Sequence, residues 1–338
     1  MSKKIGIGGL FVVLAVIFVM NIATGSIHIP FFKVVQILFG EVEVKDTWKY
    51  IVLNYRLPKA VVAVLVGVAL SLSGLLMQTL FRNPMAESYV LGISSGASLG
   101  VAFLILGSAF LPISLISILT SSYGIALVSI LGSLGLLLLV LLISNTVRNT
   151  VTVLIVGLMF GSFANAVVSI LTYFSSAEQL KRFTFWSMGS LGNLTWDTIA
   201  LFASVVFIGL IGCLLLVRTL DALLLGDNYA LSMGINIKKS RNMIILVTSI
   251  LAGVSTAFVG PIAFVGLAVP HIARLLLKVS SHRYLIVSTA LLGGVLMLLC
   301  DMLTQIKGES FLLPINAVTS IFGAPIVIWL LLRNKVQS

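Results

Sequence analysis

Two short segments have the residue types and spacing of reactive or ligand-binding loops. Gly92-Ile93-Ser94-Ser95-Gly96 matches the G-x-S-x-G pattern of a nucleophilic serine, and Gly234 to Ser240 resembles a phosphate-binding loop. A serine nucleophile needs a strand-to-helix turn and a histidine that a carboxylate orients. A phosphate loop needs a second glycine directly before its lysine. Because both segments border long apolar runs and lack these contexts, the sequence argues against hydrolysis and against ATP binding by this chain.

Ionisable residues are scarce inside the apolar runs. Asp301 and Arg274 lie within predicted spans, and His271 directly follows Pro270. A charge in the bilayer costs about 2.5–3.5 kcal/mol on insertion scales, so such residues usually serve a function. A carrier driven by protons or sodium normally has them near the membrane midplane, and their scarcity indicates an energy source elsewhere. For His271, a hydrogen bond at a helix start is favoured over a ligand role.

The composition is that of a membrane protein. The chain has 338 residues, of which 59% are hydrophobic and 9% charged, with a mean hydropathy of +1.18. A soluble protein has roughly a quarter charged residues, and crossing the ~30 Å hydrocarbon core takes about 20 apolar residues. The sequence therefore predicts an all-α polytopic protein of about ten transmembrane helices, near residues 5–23, 58–81, 88–107, 115–143, 151–174, 197–217, 242–259, 262–280, 284–304 and 313–332.

The first run is interpreted as an uncleaved span, because it exceeds the ~7–15 apolar residues of a signal peptide and no clear cleavage site follows. An even number of spans places both termini on one side. Thirteen of the 21 Lys and Arg residues then fall on that side, the others being Lys33, Lys45, Lys49, Arg56, Lys59, Lys181, Arg182 and Lys307. The positive-inside rule therefore predicts that the side with both termini is cytoplasmic.

The net charge of +11 is explained by this topology and by anionic lipid headgroups, and the chain has no basic domain outside the membrane that would bind nucleic acid. Its two cysteines, Cys213 and Cys300, both lie in predicted spans. They indicate neither a disulfide framework nor a metal site.

Small residues recur at helical spacing. Gly92, Gly96 and Gly100 form a double GxxxG pattern, and Gly157 with Gly161 forms another. Lipid provides little hydrophobic drive between helices, so small residues allow the close packing that holds them together. Helix packing is the favoured interpretation, and lining a transport pathway is compatible with it.

A faint internal repeat is also present. Gly74 lies ten residues before Pro84, and Gly260 lies ten residues before Pro270. The two units would run in opposite directions through the membrane, which is the inverted repeat found in many transporters. Chance produces such a spacing often in glycine-rich helices, so coincidence is the alternative.

The polar segment 219–240 is the most informative loop. Gly226 and Gly234 interrupt two short helical patterns whose apolar residues include Leu225, Tyr229 and Met233. Exposed apolar helical faces suit docking into a partner's groove. A helix that merely lies in the membrane interface is the alternative.

These motifs together resemble the FecCD permeases, the membrane subunits of ATP-driven importers for iron–siderophores, haem and cobalamin. The matching residues run in order from about residue 10 to residue 334: Arg56-Leu57-Pro58-Lys59, Gly74, Gln78, Asn83-Pro84, Ala86-Glu87, Leu91-Gly92, Ser95-Gly96-Ala97, Leu225-Gly226-Asp227, Ala230, Gly234, Gly260, Ile262, Phe264, Gly266-Leu267, Pro270-His271, Arg274 and Gly323-Ala324-Pro325.

The resemblance implies one transmembrane permease domain over residues 1–338 in the bacterial cytoplasmic membrane. It implies a second permease chain, identical or different, two cytoplasmic ATPase subunits and an extracytoplasmic solute-binding protein. ATP and Mg²⁺ would bind the ATPase, with no cofactor in this chain. The expected cargo is a bulky metal chelate, first an iron–siderophore, with haem or cobalamin as alternatives. An ion-coupled secondary carrier is the competing class.

The resemblance also assigns residues to three roles. Docking of the solute-binding protein would use Arg56 and Lys59, with Lys307 replacing a basic residue that the family has at the position of Gln305. Coupling to the ATPase would use Leu225, Gly226, Asp227, Tyr229, Ala230 and Gly234. The gate and pathway would include Gln78, Asn83, Pro84, Met85 and Asn145.

Overall fold

The computed structural model describes residues 3–25, 27, 29–40, 44–87, 89, 92–110, 121–147, 150–192, 194–279, 281–305 and 313–335. Within these ranges all regular elements are helical. The α-helices are α1 (Lys3–Ala23), α2 (Phe31–Leu38), α3 (Asp46–Ile51), α4 (Leu57–Leu80), α5 (Ile93–Ile105), α6 (Ser122–Thr146), α7 (Thr150–Tyr173), α8 (Ala177–Ser187), α9 (Trp196–Leu215), α10 (Val217–Leu224), α11 (Asp227–Ser232), α12 (Ile237–Val259), α13 (Val265–Leu277), α14 (His282–Thr304) and α15 (Ile315–Lys335). A π-helical turn, Val52–Arg56, joins α3 to α4, and a 3₁₀ turn, Leu106–Phe110, follows α5.

Each of the ten apolar runs predicted from the sequence overlaps a helix, although residues 88, 90, 91, 115–120 and 280 of these runs lie outside the described residues. Seven helical segments in the described residues are long and apolar enough to cross a membrane, and three shorter apolar helices, α5, α13 and α15, account for the other runs. The all-helical, polytopic fold class is therefore confirmed.

Two of the short helices start where the backbone turns left-handed. Gly92 has a φ of 75° directly before α5, and Phe264 has a φ of 69° directly before α13. A residue with positive φ cannot continue a right-handed helix, so both helices begin later than the apolar runs do. Pro270 lies inside α13. The expectation that His271 sits at a helix start is therefore wrong.

Helix α4 is the centre of the bundle. It packs against α9, α12, α13 and α14. Of the apolar stretch in the helical segment Asp46–Leu80, which contains α4, 78% is buried, whereas the corresponding share is 11% in α1 and 22% in α7. The peripheral helices thus present apolar faces that suit lipid or another protein chain.

Glycines set the spacing between α4 and its neighbours. A Cβ atom added at Gly67 would overlap the backbone of Gly293, and one added at Gly74 would overlap the backbone of Gly266. Ser71 of α4 also donates a hydrogen bond to the carbonyl of Thr289 in α14, at 3.1 Å. Backbone contact of this kind is how helices associate without a hydrophobic drive between them.

The GxxxG residues of α5 are also packing residues. A Cβ atom at Gly96 would lie 2.6 Å from the carbonyl oxygen of Gly132 in α6, and one at Gly100 would lie 2.5 Å from that of Val128. On the opposite side, Gly161 of α7 contacts Ser95. The packing interpretation of these glycines is confirmed.

The inverted repeat stays a prediction. Pro84 lies in the turn after α4, whereas Pro270 lies within α13. The matching spacing therefore does not correspond to matching secondary structure at the two prolines.

Candidate functional site

Polar side chains gather at both ends of α4. Where α4 begins, α1 and α14 end, and Asp301 lies among them; we call this the Asp301 end. Where α4 finishes, α14 begins at His282 beside α10; we call this the His282 end. Each end joins helices that are far apart in sequence.

At the Asp301 end a buried carboxylate connects three helices. Lys59 Nζ of α4 lies 2.8 Å from Asp301 Oδ1 of α14, with side-chain exposures of 20% and 1%. Asn21 of α1 donates its amide to Asp301 Oδ2 at 3.0 Å and to the carbonyl of Leu298 at 3.1 Å. Losing one partner would leave an uncompensated buried charge, which is strongly destabilising.

Arg56 caps the carboxyl end of α1. Its guanidinium donates to the carbonyls of Ile22 and Ala23, each at 3.0 Å, and to that of Ile27. These carbonyls include groups that the helix itself leaves unbonded, and a cation is favourable at this end of the helix dipole. The two predicted docking cations, Arg56 and Lys59, are thus at one end of the bundle, and both already have partners. Lys307 lies outside the described residues.

A cavity of about 490 Å³ opens beside the Lys59–Asp301 pair. Its wall also includes Tyr55 from the π-helical turn, Met188 and Ser190 from the segment after α8, and Pro314 before α15. The wall of this cavity therefore combines charged, polar and apolar groups.

At the His282 end a histidine connects α4 and α14 to α10. Asp221 Oδ1 accepts the backbone N–H of His282 at 2.8 Å and lies 2.7 Å from its Nδ1. The other ring nitrogen, Nε2, lies 2.9 Å from the hydroxyl of Thr79. The carboxylate therefore fixes a proton on Nδ1 and orients Nε2 toward α4. The His282 side chain is fully buried.

Two further contacts bind the last turns of α4 to other helices. Gln78 donates to the carbonyls of Gly266 and Leu267 at 3.3 and 3.1 Å and accepts from Arg274 at 2.5 Å. Arg82 donates to the carbonyl of Leu223 at 3.0 Å and pairs with Asp227. Between Gln78 and Arg82, the end of α4 and the turn after it are thus bonded to α10, α11, α13 and α14.

The predicted gate residues are divided between two environments. Gln78 is buried between α4 and α13, while Asn83, Pro84 and Met85 form an exposed turn. Asn83 Oδ1 accepts the backbone N–H of Met85 at 2.9 Å, which holds that turn. Asn145 lies near the end of α6, and its side chain is outside the described residues.

The predicted coupling loop has the expected shape. α10 and α11 are two short helices that meet at Gly226, whose φ of 116° suits glycine. Leu225, Tyr229 and Met233 are exposed by 65%, 48% and 58%. Ala230 is fully buried, so the loop has an inner face that packs and an exposed apolar outer face.

Glu87, in the connection between α4 and α5, caps α13. Its carboxylate accepts hydrogen bonds from the backbone N–H groups of Gly266 and Phe264. Burial raises the pKa of Glu87 to about 7, although both hydrogen bonds lower it. A carboxylate at a helix amino terminus satisfies otherwise unbonded N–H groups.

The G-x-S-x-G serine has no catalytic surroundings in the described residues. The Ser94 hydroxyl lies 3.4 Å from the hydroxyl of Thr256, in the packing between α5 and α12. This position supports a structural role for the motif.

The bundle of spanning helices with a helical loop projecting from one end defines a membrane permease. Residues 13–333 match the model of the FecCD transport family. The chain therefore belongs to the FecCD family.

The chain is similar to named relatives over most of its length. It is 38% identical to the hemin transport system permease protein HmuU of Yersinia pestis, over 86% of each chain. It is 35% identical to the vitamin B12 import system permease protein BtuC of Citrobacter koseri, over 83% of this chain and 82% of that one. A solved ABC transporter in an inward-facing conformation, assigned to the metal-chelate type, aligns with a TM-score of 0.84 and 27% identity over 97% of this chain and 98% of that one.

The Asp221–His282–Thr79 contacts generate a test that needs no partner protein. Asp221→Ala removes two bonds to His282, and Thr79→Val removes the third contact. We expect each change to lower the free energy of unfolding by about 1–3 kcal/mol, since each leaves a buried polar atom unsatisfied. Because both changes act through one histidine, the loss in the double variant should be at least about 0.5 kcal/mol smaller than the sum of the two single losses. Unfolding of the purified protein in detergent measures this.

As a control, Asp197→Ala, an exposed residue at the start of α9, combined with Thr79→Val should be additive. Strict additivity of Asp221→Ala with Thr79→Val would show that the histidine does not link the two helices.

Proposed function

We propose that this chain is the transmembrane subunit of an ATP-driven importer. It works with a second permease chain, two cytoplasmic ATPase subunits and an extracytoplasmic solute-binding protein. The main support is the apolar outer face of α10 and α11, because Leu225, Tyr229 and Met233 project from a loop whose other face is bonded to the bundle. An exposed apolar helical face of this kind suits a partner's groove.

The His282 end is the cytoplasmic end in this proposal. The basic residues favour it, since Arg82, Lys238, Lys239 and Arg241 lie there and cytoplasmic segments are enriched in Lys and Arg. Both termini are then cytoplasmic, the Asp301 end faces outward, and ATP and Mg²⁺ bind the partner ATPase.

The contacts at the His282 end would transmit movement of α10 and α11 to α4 and α14. When the ATPase closes, α10 and α11 are displaced. The Asp221–His282 contact is partly buried and Arg82 pairs with Asp227 at the surface, so α4 and α14 follow as rigid elements. Tilting of α4 changes the opening of the pathway, whose inner mouth we place at Asn83-Pro84-Met85 and near Asn145.

The proposed cargo is a bulky metal chelate. The expectation from the sequence is an iron–siderophore. HmuU is named for hemin and BtuC for vitamin B12, which supports haem and cobalamin to the same degree. All three are large organic chelates, so one architecture would serve any of them.

Uptake assays decide both the energy source and the cargo. In cells that lack their own chelate importers, the chain with its ATPase and binding protein should accumulate labelled ferric siderophore. Uptake should stop on ATP depletion while the ion gradient is maintained. Haem and cobalamin are supplied in parallel as alternative cargoes. Uptake that survives ATP depletion and follows the ion gradient would instead establish a secondary carrier.

The coupling surface is tested by adding charge to it. Leu225→Asp with Tyr229→Asp would bury two carboxylates in an apolar interface, so we expect copurification of the ATPase to fall at least about tenfold. The matched control is Leu225→Met with Tyr229→Phe, which keeps the face apolar and should bind normally. Wild-type copurification and transport by the aspartate variant would contradict the proposed coupling role.

Docking at the Asp301 end needs a variant that spares the fold. Lys59→Met alone would leave Asp301 unpaired, so we combine it with Asp301→Asn. The double variant should remain folded but bind the solute-binding protein about tenfold more weakly, mainly through a slower association rate, because charged groups at an interface steer encounter. Surface plasmon resonance on the purified permease measures this.

The control is Asp301→Asn alone, which releases Lys59 from its partner. It should bind the solute-binding protein at least as tightly as wild type. Equal affinity of the single and double variants would remove Lys59 from the docking site, and Arg56 would then be tested by itself.

A further inference from the structure

Helices α6 and α12 enclose a groove that none of the roles above uses. Its first part is a cavity of about 490 Å³ that begins at Lys238 and Lys239 and continues past Leu141, Met243 and Leu246. Its second part is a cavity of about 190 Å³ lined by α6 and α12 residues that include Leu137, Ile250 and Val254, and by Val205 of α9. Apart from its mouth, the groove is lined almost entirely by apolar side chains.

The two cavities lie along one face of each helix. On α12 the lining residues Lys239, Met243, Leu246, Ile250 and Val254 follow each other at steps of three or four, which is the spacing of one helical face. Fifteen residues of helix span roughly 22 Å at about 1.5 Å per residue. The groove is therefore longer than one leaflet of a ~30 Å hydrocarbon core.

The mouth of the groove is positively charged and its charge is not neutralised. Lys238 and Lys239 are exposed, and in the part of the chain that the structure describes neither forms an ion pair. They belong to the first turn of α12, where the helix dipole adds positive potential. Arg241 donates to the carbonyl of Val147 at 3.0 Å and to that of Ser144, which fixes the end of α6 beside them.

Two other recesses in the described residues lack this combination. The cavity between α1 and α4, of about 350 Å³, is lined by apolar residues such as Phe11, Phe18 and Leu65 and has no basic residue. In the cavity at the Asp301 end, the cation Lys59 is paired with Asp301. Only the α6–α12 groove, among these, joins a long apolar channel to unpaired cations.

We propose that the α6–α12 groove binds one anionic phospholipid. Its phosphate lies at Lys238 and Lys239, and one acyl chain lies along Met243 and Leu246 toward Val254. Basic pockets between spanning helices on the cytoplasmic side suit anionic headgroups, and the apolar channel lies at the depth of lipid chains. A lipid here holds the start of α12, which follows the coupling helix α11 by four residues.

The experiment uses the full-length protein, delipidated in mild detergent and titrated with phosphatidylglycerol or phosphatidylcholine of identical acyl chains. Native mass spectrometry counts the bound lipids. We expect the first phosphatidylglycerol to bind about tenfold more tightly than phosphatidylcholine, because two lysines attract its net charge. In K238Q/K239Q the two lipids should bind alike. Met243→Trp, which fills the channel, should weaken both.

The matched control is Lys278→Gln, which removes an exposed cation at the same end of the bundle but outside the groove. It should keep the preference for phosphatidylglycerol. An undiminished preference in K238Q/K239Q, or an equal loss in Lys278→Gln, would overturn the site. A photoactivatable phosphatidylglycerol should label the peptide that contains Met243. Labelling confined to other helices, as expected if a protein chain covers the groove, would also overturn it.

Discussion

The structure depends on backbone contact between α4 and its neighbours. Gly67 faces Gly293 and Gly74 faces Gly266 so closely that no side chain fits at these positions. In lipid the apolar surface of a helix gains little from contact with another helix, so van der Waals contact and hydrogen bonds must hold the bundle. Glycine is the residue that allows backbones to approach to this distance. A larger residue at Gly67 or Gly74 would separate α4 from α14 or α13 along much of their length.

This close packing also sets where the polar groups meet. Lys59 and Thr79 are 20 residues apart on α4, which corresponds to roughly 30 Å of helix and to the thickness of the hydrocarbon core. The Asp301 and His282 clusters therefore lie at the two faces of the membrane, and the stretch between them is occupied by glycine, alanine, serine and leucine contacts. An α4 bonded at both ends and packed on glycine in between is suited to move as one body, as the proposed mechanism requires.

Much of this architecture follows from the sequence because the responsible signals are local. Ten apolar runs, the glycine spacing of α5 and the glycine breaks around α10 and α11 each depend on residues close together in the chain. The starts of α5 and α13 could be placed only roughly, since hydropathy does not report a left-handed residue such as Phe264. The FecCD motifs identified the family, but they do not show which side chains touch.

The contacts that were missed join residues distant in sequence. Asp221 and His282 are 61 residues apart, and Asn21 and Asp301 are 280 apart. Nothing in the local pattern of either segment indicates its partner. The sequence did place Asp301 inside a span, and the cost of such a charge is a reason to look for a cation nearby. That reasoning would have led to Lys59 had the register of α4 against α14 been known.

The two ends of α4 differ in what lies beside their polar contacts. His282 is fully buried and is bonded to both α10 and α4, so separation there would expose an unsatisfied imidazole. At the other end, Lys59 retains 20% exposure beside an open cavity, and an arriving carboxylate can share its ammonium without displacing a helix. Each end thus pairs a buried group with a partly exposed one, Asp221 at 39% beside His282 and Lys59 at 20% beside Asp301. What distinguishes the Asp301 end is the open cavity beside Lys59, which leaves room there for a partner that docks and leaves.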